Sequence, residues 1–472
     1  MGKEAIKFGT DGWRGIMCDD FVVAHVELVV QAIAEYIKST AGPAPALIIG
    51  HDTRFFAEQF AAACARVCAA NGIRVLMPRG PMPTPVVAFA IGACDADGAI
   101  MLTASHNPPV YNGIKFIPSY GGPANPEITG RIEATIKRLD YGDVAVPTED
   151  TAGPEACDPV GPYQERLRAL VDFDALRSAG LSVVLDVMFG AGQGIMASIL
   201  TDAGCKVRAL HESRDAFFGG SMPEPGQGNL GELIGLVEGG GFDLGLALDG
   251  DADRFGIVDE SGRLLTSNQV LAVLALHLLR KRKMRGRLVR TVATTHLLDA
   301  IAAAHGVECV ETPVGFKYIA AEMLAGDVLI GGEESGGLSI AGHVPEKDGL
   351  LADLLMCEVV ATTDRRLAAT LEAIYDEFGL RITRRIDVHY PSERKGELLS
   401  RLAASPPKTI GDLALRSLGT VDGVKYLLDR DAWVLVRPSG TEPVVRAYIE
   451  ARNQDDFTAI RQWTEHQLES SG

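Results

Sequence analysis

The chain has 472 residues, 47% hydrophobic and 23% charged, so it can build folded cores and is not intrinsically disordered. At about 150 residues per domain, this length predicts roughly three domains. Subtracting 62 acidic from 45 basic side chains gives a net charge of −17, which repels nucleic acids and anionic membrane surfaces. We therefore expect neither as a partner, and an anionic substrate needs a site that gathers its own cations.

The long apolar stretches, such as residues 271–279, are shorter than the roughly 18 residues that a membrane span requires, so we expect no transmembrane helix. The first residues, MGKEAI, lack the hydrophobic core of a signal peptide, which predicts a cytoplasmic protein. The 8 cysteines are scattered without a paired CxxC pattern, so we expect reduced thiols.

Apolar, β-rich runs recur before helical runs, which predicts α/β layers. The clearest cases are 46–50 before 56–71, 181–186 before 194–203, and 287–293 before 296–305. A proline-rich segment at 146–163 can continue neither a helix nor a central strand, so a domain boundary is placed there. A second boundary is placed near Asp259, and a third follows a helix predicted at 367–378. The predicted domains are 1–150, 151–259, 260–378 and 379–472.

Three aspartates, Asp249, Asp251 and Asp253, alternate in the segment LDGDADR at 248–254. Carboxylates this close repel one another unless a cation lies between them, which predicts a hard divalent metal ion. An EF-hand loop has similar Asp spacing, but Arg254 stands where that loop needs Gly, and a strand precedes the segment. A solvated acidic turn remains the alternative.

The segment TASHNPP at 103–109 follows a strand predicted at 98–102, so it places the Ser105 hydroxyl at a strand end. It is not the GxSxG elbow of serine hydrolases. Adjacent side chains of extended backbone point in opposite directions, so we expect Ser105 and His106 not to pair. From spacing alone, a nucleophile and a simple Asx or Ser turn both remain open.

Two further segments are ambiguous. Residues 437–443, RPSGTEP, join two predicted strands and suit either a phosphate cradle or a plain β-turn, without the Walker pattern. Residues 190–194, GAGQG, follow a strand ending at Asp186, and Glu212 lies near the distance expected for a ribose contact. The spacing is GxGxG rather than GxGxxG, which favours a turn at the start of a helix over a dinucleotide site.

Taken together, these segments resemble the α-D-phosphohexomutases, which include phosphoglucomutase and phosphomannomutase, over essentially the whole chain. The sequence is most similar to a bacterial phosphoglucomutase. Five segments resemble the family's loops in the family's order: 8–15 the opening loop, 103–108 the phosphoserine loop, 249–254 the magnesium loop, 332–337 (GEESGG) the sugar-recognition loop, and 437–443 the phosphate-binding loop. The resemblance implies three similar α/β domains with mixed sheets and a C-terminal α+β domain like that of the TATA-binding protein.

The resemblance also implies an activity and a set of site residues. Hexose 1-phosphate and 6-phosphate would interconvert through phosphoserine Ser105, with Mg²⁺ and glucose 1,6-bisphosphate as activator and intermediate. The implied metal ligands are Ser105, Asp249, Asp251 and Asp253, and the implied catalytic residues are Ser105, Arg14, Lys115, His106 and His343. The implied substrate-binding residues are Lys317, Glu333, Ser335, Lys347, Arg437, Ser439, Gly440 and Thr441, with Arg254 as a further cation. Partners would be small hexose phosphates, and the enzyme would be a monomer or a homodimer.

The preferred sugar is expected to be glucose, with mannose 1-phosphate as a slower substrate. Glu333 and Ser335 match residues that hold hydroxyls common to both sugars, so that loop cannot discriminate between them. Gly337 stands where similar dual-specificity phosphomannomutases and phosphoglucosamine mutases often have His, and Glu334 stands where the latter usually have Gln. The segment HVPEKDG at 343–349 looks more like glucose-type enzymes. A phosphomannomutase, a sugar-phosphate phosphatase and a non-catalytic sensor remain as alternatives.

Overall fold

The computed structural model describes residues 6–9, 12–363, 366–439 and 443–469. Four β-sheets follow one another along this part of the chain. The first three mix parallel and antiparallel strands and are flanked by helices, and the fourth is antiparallel throughout. The expected α/β architecture with mixed sheets and a C-terminal α+β domain is confirmed.

The first sheet has six strands in the order β1-β5-β4-β2-β3-β6. Its strands are β1 (Trp13–Ile16), β2 (Ala46–His51), β3 (Arg74–Pro78), β4 (Gly98–Leu102), β5 (Tyr111–Pro118) and β6 (Glu155–Cys157). Its helices are α1 (Val23–Thr40), α2 (Ala57–Ala70), α3 (Thr84–Ala93) and α4 (Pro126–Arg138). Strand β6 pairs only with β3, at the edge, so the proline-rich segment adds a strand beyond residue 150, where the first predicted domain ends.

The second sheet has the order β11-β10-β9-β7-β8. Its strands are β7 (Ser182–Asp186), β8 (Lys206–Leu210), β9 (Leu244–Leu248), β10 (Phe255–Val258) and β11 (Leu264–Leu265). Its helices are α5 (Val160–Leu170), α6 (Phe173–Ala179), α7 (Ile195–Asp202) and α8 (Gly231–Glu238). The hairpin strand β11 pairs with β10, so this sheet extends past Asp259, where the second predicted boundary lies.

The third sheet has the order β13-β12-β14-β15. Its strands are β12 (Arg287–Thr291), β13 (Cys309–Thr312), β14 (Val328–Gly332) and β15 (Leu338–Ile340). Its helices are α9 (Ser267–Arg280), α10 (Leu297–His305), α11 (Phe316–Ala325), α12 (Gly349–Thr362) and α13 (Leu367–Phe378). Helix α9 begins with a capping box, in which Thr266 and Gln269 satisfy each other's backbone N–H groups.

The fourth sheet has the order β16-β21-β20-β19-β18-β17. Its strands are β16 (Ile382–His389), β17 (Thr409–Ile410), β18 (Leu413–Gly419), β19 (Val424–Leu428), β20 (Trp433–Pro438) and β21 (Val444–Ala451), with helices α14 (Lys395–Ala404) and α15 (Gln454–Glu469). In strand β16, positions 385–389 alternate between exposed and half-buried.

The buried side chains explain how the sheets are joined. One apolar cluster contains Ile48 of the first sheet, Leu185 of the second and Leu288 of the third. The fourth sheet has its own core, and a small cluster that includes Val292 and Trp433 joins it to the third. The loops that follow β4, β9 and β14, together with the end of β20, carry four of the segments singled out from the sequence. No helix in the described ranges is both long and apolar enough to cross a membrane.

A buried lysine fastens the fourth sheet to the third. The Lys425 ammonium on β19 donates to the Val292 carbonyl and to Glu311 Oε2, both at 2.8 Å, and lies 2.9 Å from His296 Nε2. Its Nζ also lies 4.5 Å from the centre of the Trp433 ring. Burial, with Arg290 nearby, lowers the pKa of Lys425 to about 8, and burial also holds the pKa of His296 well below 6.5.

This lowered pKa predicts how stability changes with pH. Between about pH 8 and the unfolded pKa of 10.5 the unfolded chain binds the proton that the folded chain lacks, so stability rises with pH. Relative to Lys425→Met, the free energy of unfolding of the wild type should increase by about 1 kcal/mol from pH 7 to pH 9. Urea unfolding of both proteins at the two pH values measures this, and a constant or decreasing difference would contradict it.

Candidate active site

The three aspartates lie in the loop between β9 and β10 and are fully buried. One carboxylate oxygen from each of Asp249, Asp251 and Asp253 lies within 4.8 Å of the others. Burial and the two neighbouring carboxylates raise the pKa of Asp249 well above 3.8. The loop is therefore not a solvated acidic turn, because its negative charges are enclosed by protein.

The glycine-rich segment at 190–194 packs against this Asp loop. The Ala191 N–H donates to the Gly250 carbonyl at 2.9 Å. A Cβ on Gly190 would lie 2.8 Å from the carbonyl oxygens of Asp249 and Gly250, closer than side chains tolerate. The segment leads directly into α7, so the interpretation as a turn at the start of a helix is confirmed, and its glycines allow close contact with the Asp loop.

Ser105 is turned towards the Asp loop by its backbone. Its φ of 50° lies in the left-handed region, and its hydroxyl donates to Asp249 Oδ2 at 2.6 Å. The Ser105 Oγ also lies 3.3 Å from His106 Nδ1. The expectation that these neighbours do not pair is wrong, because it assumed extended backbone, and the left-handed residue brings both side chains to the same side.

The histidine beside Ser105 is held neutral. Burial, together with the cations Arg254, Arg14, Lys347 and Arg54, lowers the pKa of His106 well below 6.5. A neutral ring carries one N–H, and because the Ser105 hydroxyl proton is donated to Asp249, it is the Nδ1–H tautomer of His106 that can donate to Ser105 Oγ. The arrangement suits a group that orients the serine hydroxyl in an electropositive pocket.

Arg54 shapes the Ser105 loop and was missed by the sequence analysis. Its side chain is fully buried, and Nη2 donates to the carbonyls of Ser105 at 2.6 Å and Asn107 at 2.7 Å. Its Nη1 donates to the carbonyls of Pro108 and Tyr111, both at 2.9 Å. One guanidinium therefore fixes both arms of the loop, which a flexible ammonium cannot do with the same geometry.

Asp52 holds Arg54 in position through hydrogen bonds. Its Oδ2 accepts from Arg54 Nε at 3.2 Å and from Thr103 Oγ1 at 2.6 Å, and Thr103 Oγ1 in turn accepts from the Ser105 N–H at 2.8 Å. The positions of Asp52 and Arg54 in the sequence do indicate that they lie near Ser105. Asp52 and Arg54 follow the buried strand β2, which runs parallel to β4, so their loop lies beside that of Ser105.

Two lysines from different parts of the chain, one on β5 and one between β15 and α12, contact the Asp loop. Lys115 of β5 donates to Asp251 Oδ2 and Asp253 Oδ2, both at 2.9 Å. Lys347, which precedes α12, lies 2.8 Å from Asp253 Oδ2. Thr84, at the start of α3, donates to Asp251 Oδ2 at 2.6 Å and was also missed, because nothing in its helical context marks it. The first and third sheets thus supply the counter-charges for a loop of the second.

The donor set fits the expected magnesium ion. Hard carboxylate oxygens are the ligands that Mg²⁺ prefers, and the three aspartates converge on a small volume. Asp251 Oδ1 is buried and has no hydrogen-bond partner, which is costly unless a cation takes that place. Ser105 Oγ lies on the same cluster through Asp249, so it is placed near where the ion would be held.

A series of hydrogen bonds connects the Asp cluster to the predicted sugar-recognition loop and then to the predicted phosphate-binding loop. The Phe255 N–H donates to the Gly336 carbonyl at 3.3 Å, which joins the Asp loop's strand to the sugar loop. Glu333 Oε1 accepts from the Gly315 N–H at 2.9 Å, and the neighbouring Val314 N–H donates to Asp422 Oδ2 at 3.0 Å.

The same Asp422 oxygen accepts from Arg437 Nε at 2.7 Å, which completes the chain to the phosphate loop. Ser439 is buried there, and its carbonyl accepts from Lys395 Nζ at 2.9 Å. Gly440 and Thr441, also predicted to bind substrate, lie outside the described residues. The described part of the loop therefore presents Arg437 and Ser439 next to the sugar loop's supports.

The other predicted site residues lie on the Ser105 loop, next to the Asp loop, on α11 and in the sugar loop. Arg14 Nη1 donates to Asn107 Oδ1 at 2.6 Å, so it lies on the Ser105 loop, and Arg254 Nε lies 3.9 Å from Asp253 Oδ1. Lys317 lies at the start of α11, with its ammonium nitrogen 5.5 Å from the centre of the Tyr318 ring. Ser335 is half-buried in the sugar loop.

His343 lies outside the Asp cluster and contacts Asp348 instead. Its Nε2 lies 2.7 Å from Asp348 Oδ2, which also accepts from the Tyr163 hydroxyl at 2.7 Å. Asp348 caps α12 by accepting from the Leu351 N–H at 2.9 Å. The histidine therefore supports the segment that presents Lys347, and the described contacts do not bring it to Ser105.

Comparison with known proteins agrees with this geometry. Four family descriptions of phosphoglucomutase/phosphomannomutase match successive stretches: alpha/beta/alpha domain I at residues 5–143, domain II at 161–262, domain III at 266–378 and the C-terminal domain at 388–464. Together with the Ser105 loop beside a buried acidic cluster, they define an enzyme of the phosphomutase class. The chain belongs to the phosphoglucomutase/phosphomannomutase family of α-D-phosphohexomutases, whose members are isomerases.

Similar proteins carry several names within the family. A phosphoglucomutase/phosphomannomutase of Thermococcus kodakarensis is 31% identical over 96% of both chains. A phosphoglucosamine mutase of Thermobifida fusca is 34% identical, again over 96% of both. The solved open form of parafusin, a phosphoglucomutase from Paramecium, is 25% identical with a TM-score of 0.84, covering 100% of this chain and 95% of that one. The reaction class is therefore shared, whereas the sugar differs among relatives.

The Arg54 contacts predict a catalytic defect without a binding defect. Arg54→Lys removes most of the bonds that hold the Ser105 loop, so kcat should fall by about 100-fold while KM stays within about threefold. Arg66→Lys, on the exposed face of α2 and paired with Glu27, is the matched control and should be unaffected. Steady-state kinetics with thermal unfolding checks this, and a folded Arg54→Lys enzyme with normal kcat would contradict it.

Proposed function

We propose that the protein interconverts glucose 1-phosphate and glucose 6-phosphate, with Ser105 as the phosphoryl carrier and glucose 1,6-bisphosphate as the intermediate. The observation that carries the proposal is the bond from the Ser105 hydroxyl to Asp249 within the buried Asp cluster. It supports the proposal because the hydroxyl proposed as the carrier belongs to a cluster to which Lys115 and Lys347 bring positive charge, in a protein whose net charge is −17.

The proposed cycle transfers two different phosphoryl groups, one from Ser105 to the sugar and the other from the sugar to Ser105. In the first step the bond between Ser105 Oγ and phosphorus breaks, a bond forms from phosphorus to a free hydroxyl of the bound sugar phosphate, and the proton of that hydroxyl passes to Ser105 Oγ. The bisphosphate then turns over in the cleft. In the second step the other phosphoryl group returns to Ser105 Oγ, and the sugar oxygen takes up a proton. Atoms and charge balance over the cycle, and no water is consumed.

The surrounding residues would hold and stabilise these groups. Mg²⁺ held by the three aspartates and Ser105 would supply electrostatic stabilisation of the transferring phosphoryl group. Lys115 and Arg14 would bind the phosphoryl oxygens beside Ser105, and His106 would orient Oγ. Arg437 and Ser439 would bind the phosphate that is not transferred, and Glu333 and Ser335 the sugar hydroxyls. The eight free thiols are compatible with a cytoplasmic enzyme.

One contact supports glucose as the preferred sugar. A Cβ on Gly337 would lie 2.4 Å from Lys347 Cδ and 2.6 Å from Cγ, so a larger side chain there and the present position of Lys347 exclude each other. The glycine therefore allows the lysine of the HVPEKDG segment to reach Asp253. Enzymes with histidine at this position would have to arrange these cations differently, which favours the glucose-type interpretation over mannose or glucosamine.

A serine variant tests the covalent mechanism. Ser105→Ala should lose turnover by at least about 1,000-fold because no other phosphoryl carrier is proposed, while the fold is retained. Mass spectrometry of the wild type after incubation with glucose 1,6-bisphosphate should find one phosphoryl group on the peptide that contains Ser105. Ser178→Ala, an exposed helix serine, is the control. Turnover near the wild-type rate in Ser105→Ala would remove Ser105 as the carrier.

A comparison of sugars tests the substrate. At saturating Mg²⁺ with bisphosphate primer, kcat/KM for glucose 1-phosphate should exceed that for mannose 1-phosphate by about tenfold, the scale of one net hydrogen bond. Phosphate release is measured in the same assays and should be negligible, which separates a mutase from a phosphatase. A mannose value equal to or above the glucose value would overturn the sugar assignment, and release of phosphate at the rate of turnover would overturn the mutase.

A further inference from the structure

A cavity of about 440 Å³ lies between the third and fourth sheets, apart from the candidate active site. Its walls come from the start of α10, the connection from α13 to β16, strands β18 and β19, and the turn before β20. None of its lining residues belongs to the Asp loop, the Ser105 loop or the sugar loop. Its charged and polar lining consists of His296, Asp299, Arg381, Arg416, Ser417, Asp431 and Arg452. Three of these are arginines.

Arg381 is the buried cation of this cavity. Its side chain is 3% exposed, and its Nε has no hydrogen-bond partner. Its Nη1 donates to the carbonyls of Leu380 at 3.2 Å and Gly379 at 3.5 Å, and the carboxylates of Asp431 and Glu450 lie no nearer than 3.7 Å. Burial lowers its pKa. A desolvated guanidinium with such long contacts has capacity for a further anionic partner.

An exposed carboxylate, that of Asp431, already serves as one anionic partner of Arg381. Asp431 contacts Arg452 as well as Arg381, yet its side chain is 61% exposed. Asp431 has a φ of 54°, in the left-handed region that an aspartate tolerates but does not prefer. Two guanidinium groups thus converge on one carboxylate that water reaches, so a carboxylate from solution can take its place without leaving a buried charge.

The other charges around the cavity are already paired. Asp299 accepts from Arg290 Nε at 2.7 Å and Nη2 at 3.0 Å, so it offers little repulsion to an anion. Arg416 is 71% exposed and pairs with Asp429, and its guanidinium is free to turn because it is on the surface. His296 is neutral, as its lowered pKa requires.

We propose that this cavity is a binding site for a small organic dicarboxylate. One carboxylate of the ligand would bridge Arg381 and Arg452 in place of Asp431, and the other would lie towards Arg416. Planar guanidinium groups match carboxylates geometrically, and the volume is that of a small-ligand site. Since the walls belong to both the third and the fourth sheets, the bound anion would also fasten the domain that carries Arg437.

The test uses succinate as the probe. Isothermal titration of the full chain, at constant ionic strength and without Mg²⁺, should give saturable binding. Arg452→Ala, at a half-exposed position, should weaken the affinity by about tenfold through loss of one charge-assisted pair. Asp431→Ala should strengthen it, because the competing carboxylate is gone. A purely structural role for the cluster would give no such gain.

Two controls locate the binding. Arg430→Ala removes an exposed arginine of the same turn that pairs with Asp456 and does not line the cavity, so affinity should stay unchanged. Arg437→Ala should also retain binding, since it lies in the candidate active site. The proposal is overturned if the wild type shows no saturable binding of succinate at millimolar concentrations, if Arg452→Ala and wild type bind equally, or if Arg437→Ala abolishes binding.

Discussion

Mutual repulsion among three buried carboxylates is the constraint on which the rest of the site depends. Asp249, Asp251 and Asp253 are fully buried within a few ångströms of one another, an arrangement that would be unstable without compensating cations. The compensation comes from elsewhere in the chain. Lys115 extends from the first sheet and Lys347 from the third, so the Asp loop of the second sheet links all three.

The Asp loop also explains how Ser105 is held. Ser105 adopts a left-handed backbone and points its hydroxyl at Asp249, and Arg54 stabilises that conformation by bonding to carbonyls on both sides of the turn. Below it, Asp52 and Thr103 connect the turn to strands β2 and β4. The left-handed backbone at Ser105 is thus stabilised by a buried network of hydrogen bonds.

Much of this was predictable from sequence, for physical reasons. Strand and helix periodicity predicts the α/β layers, and loops at the carboxyl ends of strands identify where Ser105 and the Asp loop lie. The pairing of Ser105 with His106 was not predictable, because one left-handed residue reverses a side-chain direction without a signal such as Gly. Arg54 could have been found from its place after strand β2, which runs parallel to β4, whereas nothing in the helical context of Thr84 marks its contact with Asp251. His343 matched a motif, but its ring is committed to Asp348.

The proposed phosphoryl transfer at Ser105 depends most directly on the binding of Mg²⁺ to the Asp loop. Isothermal titration of the unphosphorylated protein with MgCl₂ should show one site per chain, and Asp251→Asn should weaken the affinity by at least about tenfold because a neutral ligand replaces a charged one. Asp202→Asn, at a surface pair with Arg168, is the control and should bind as the wild type does. Absence of Mg²⁺ binding, or equal affinity in Asp251→Asn, would contradict the account.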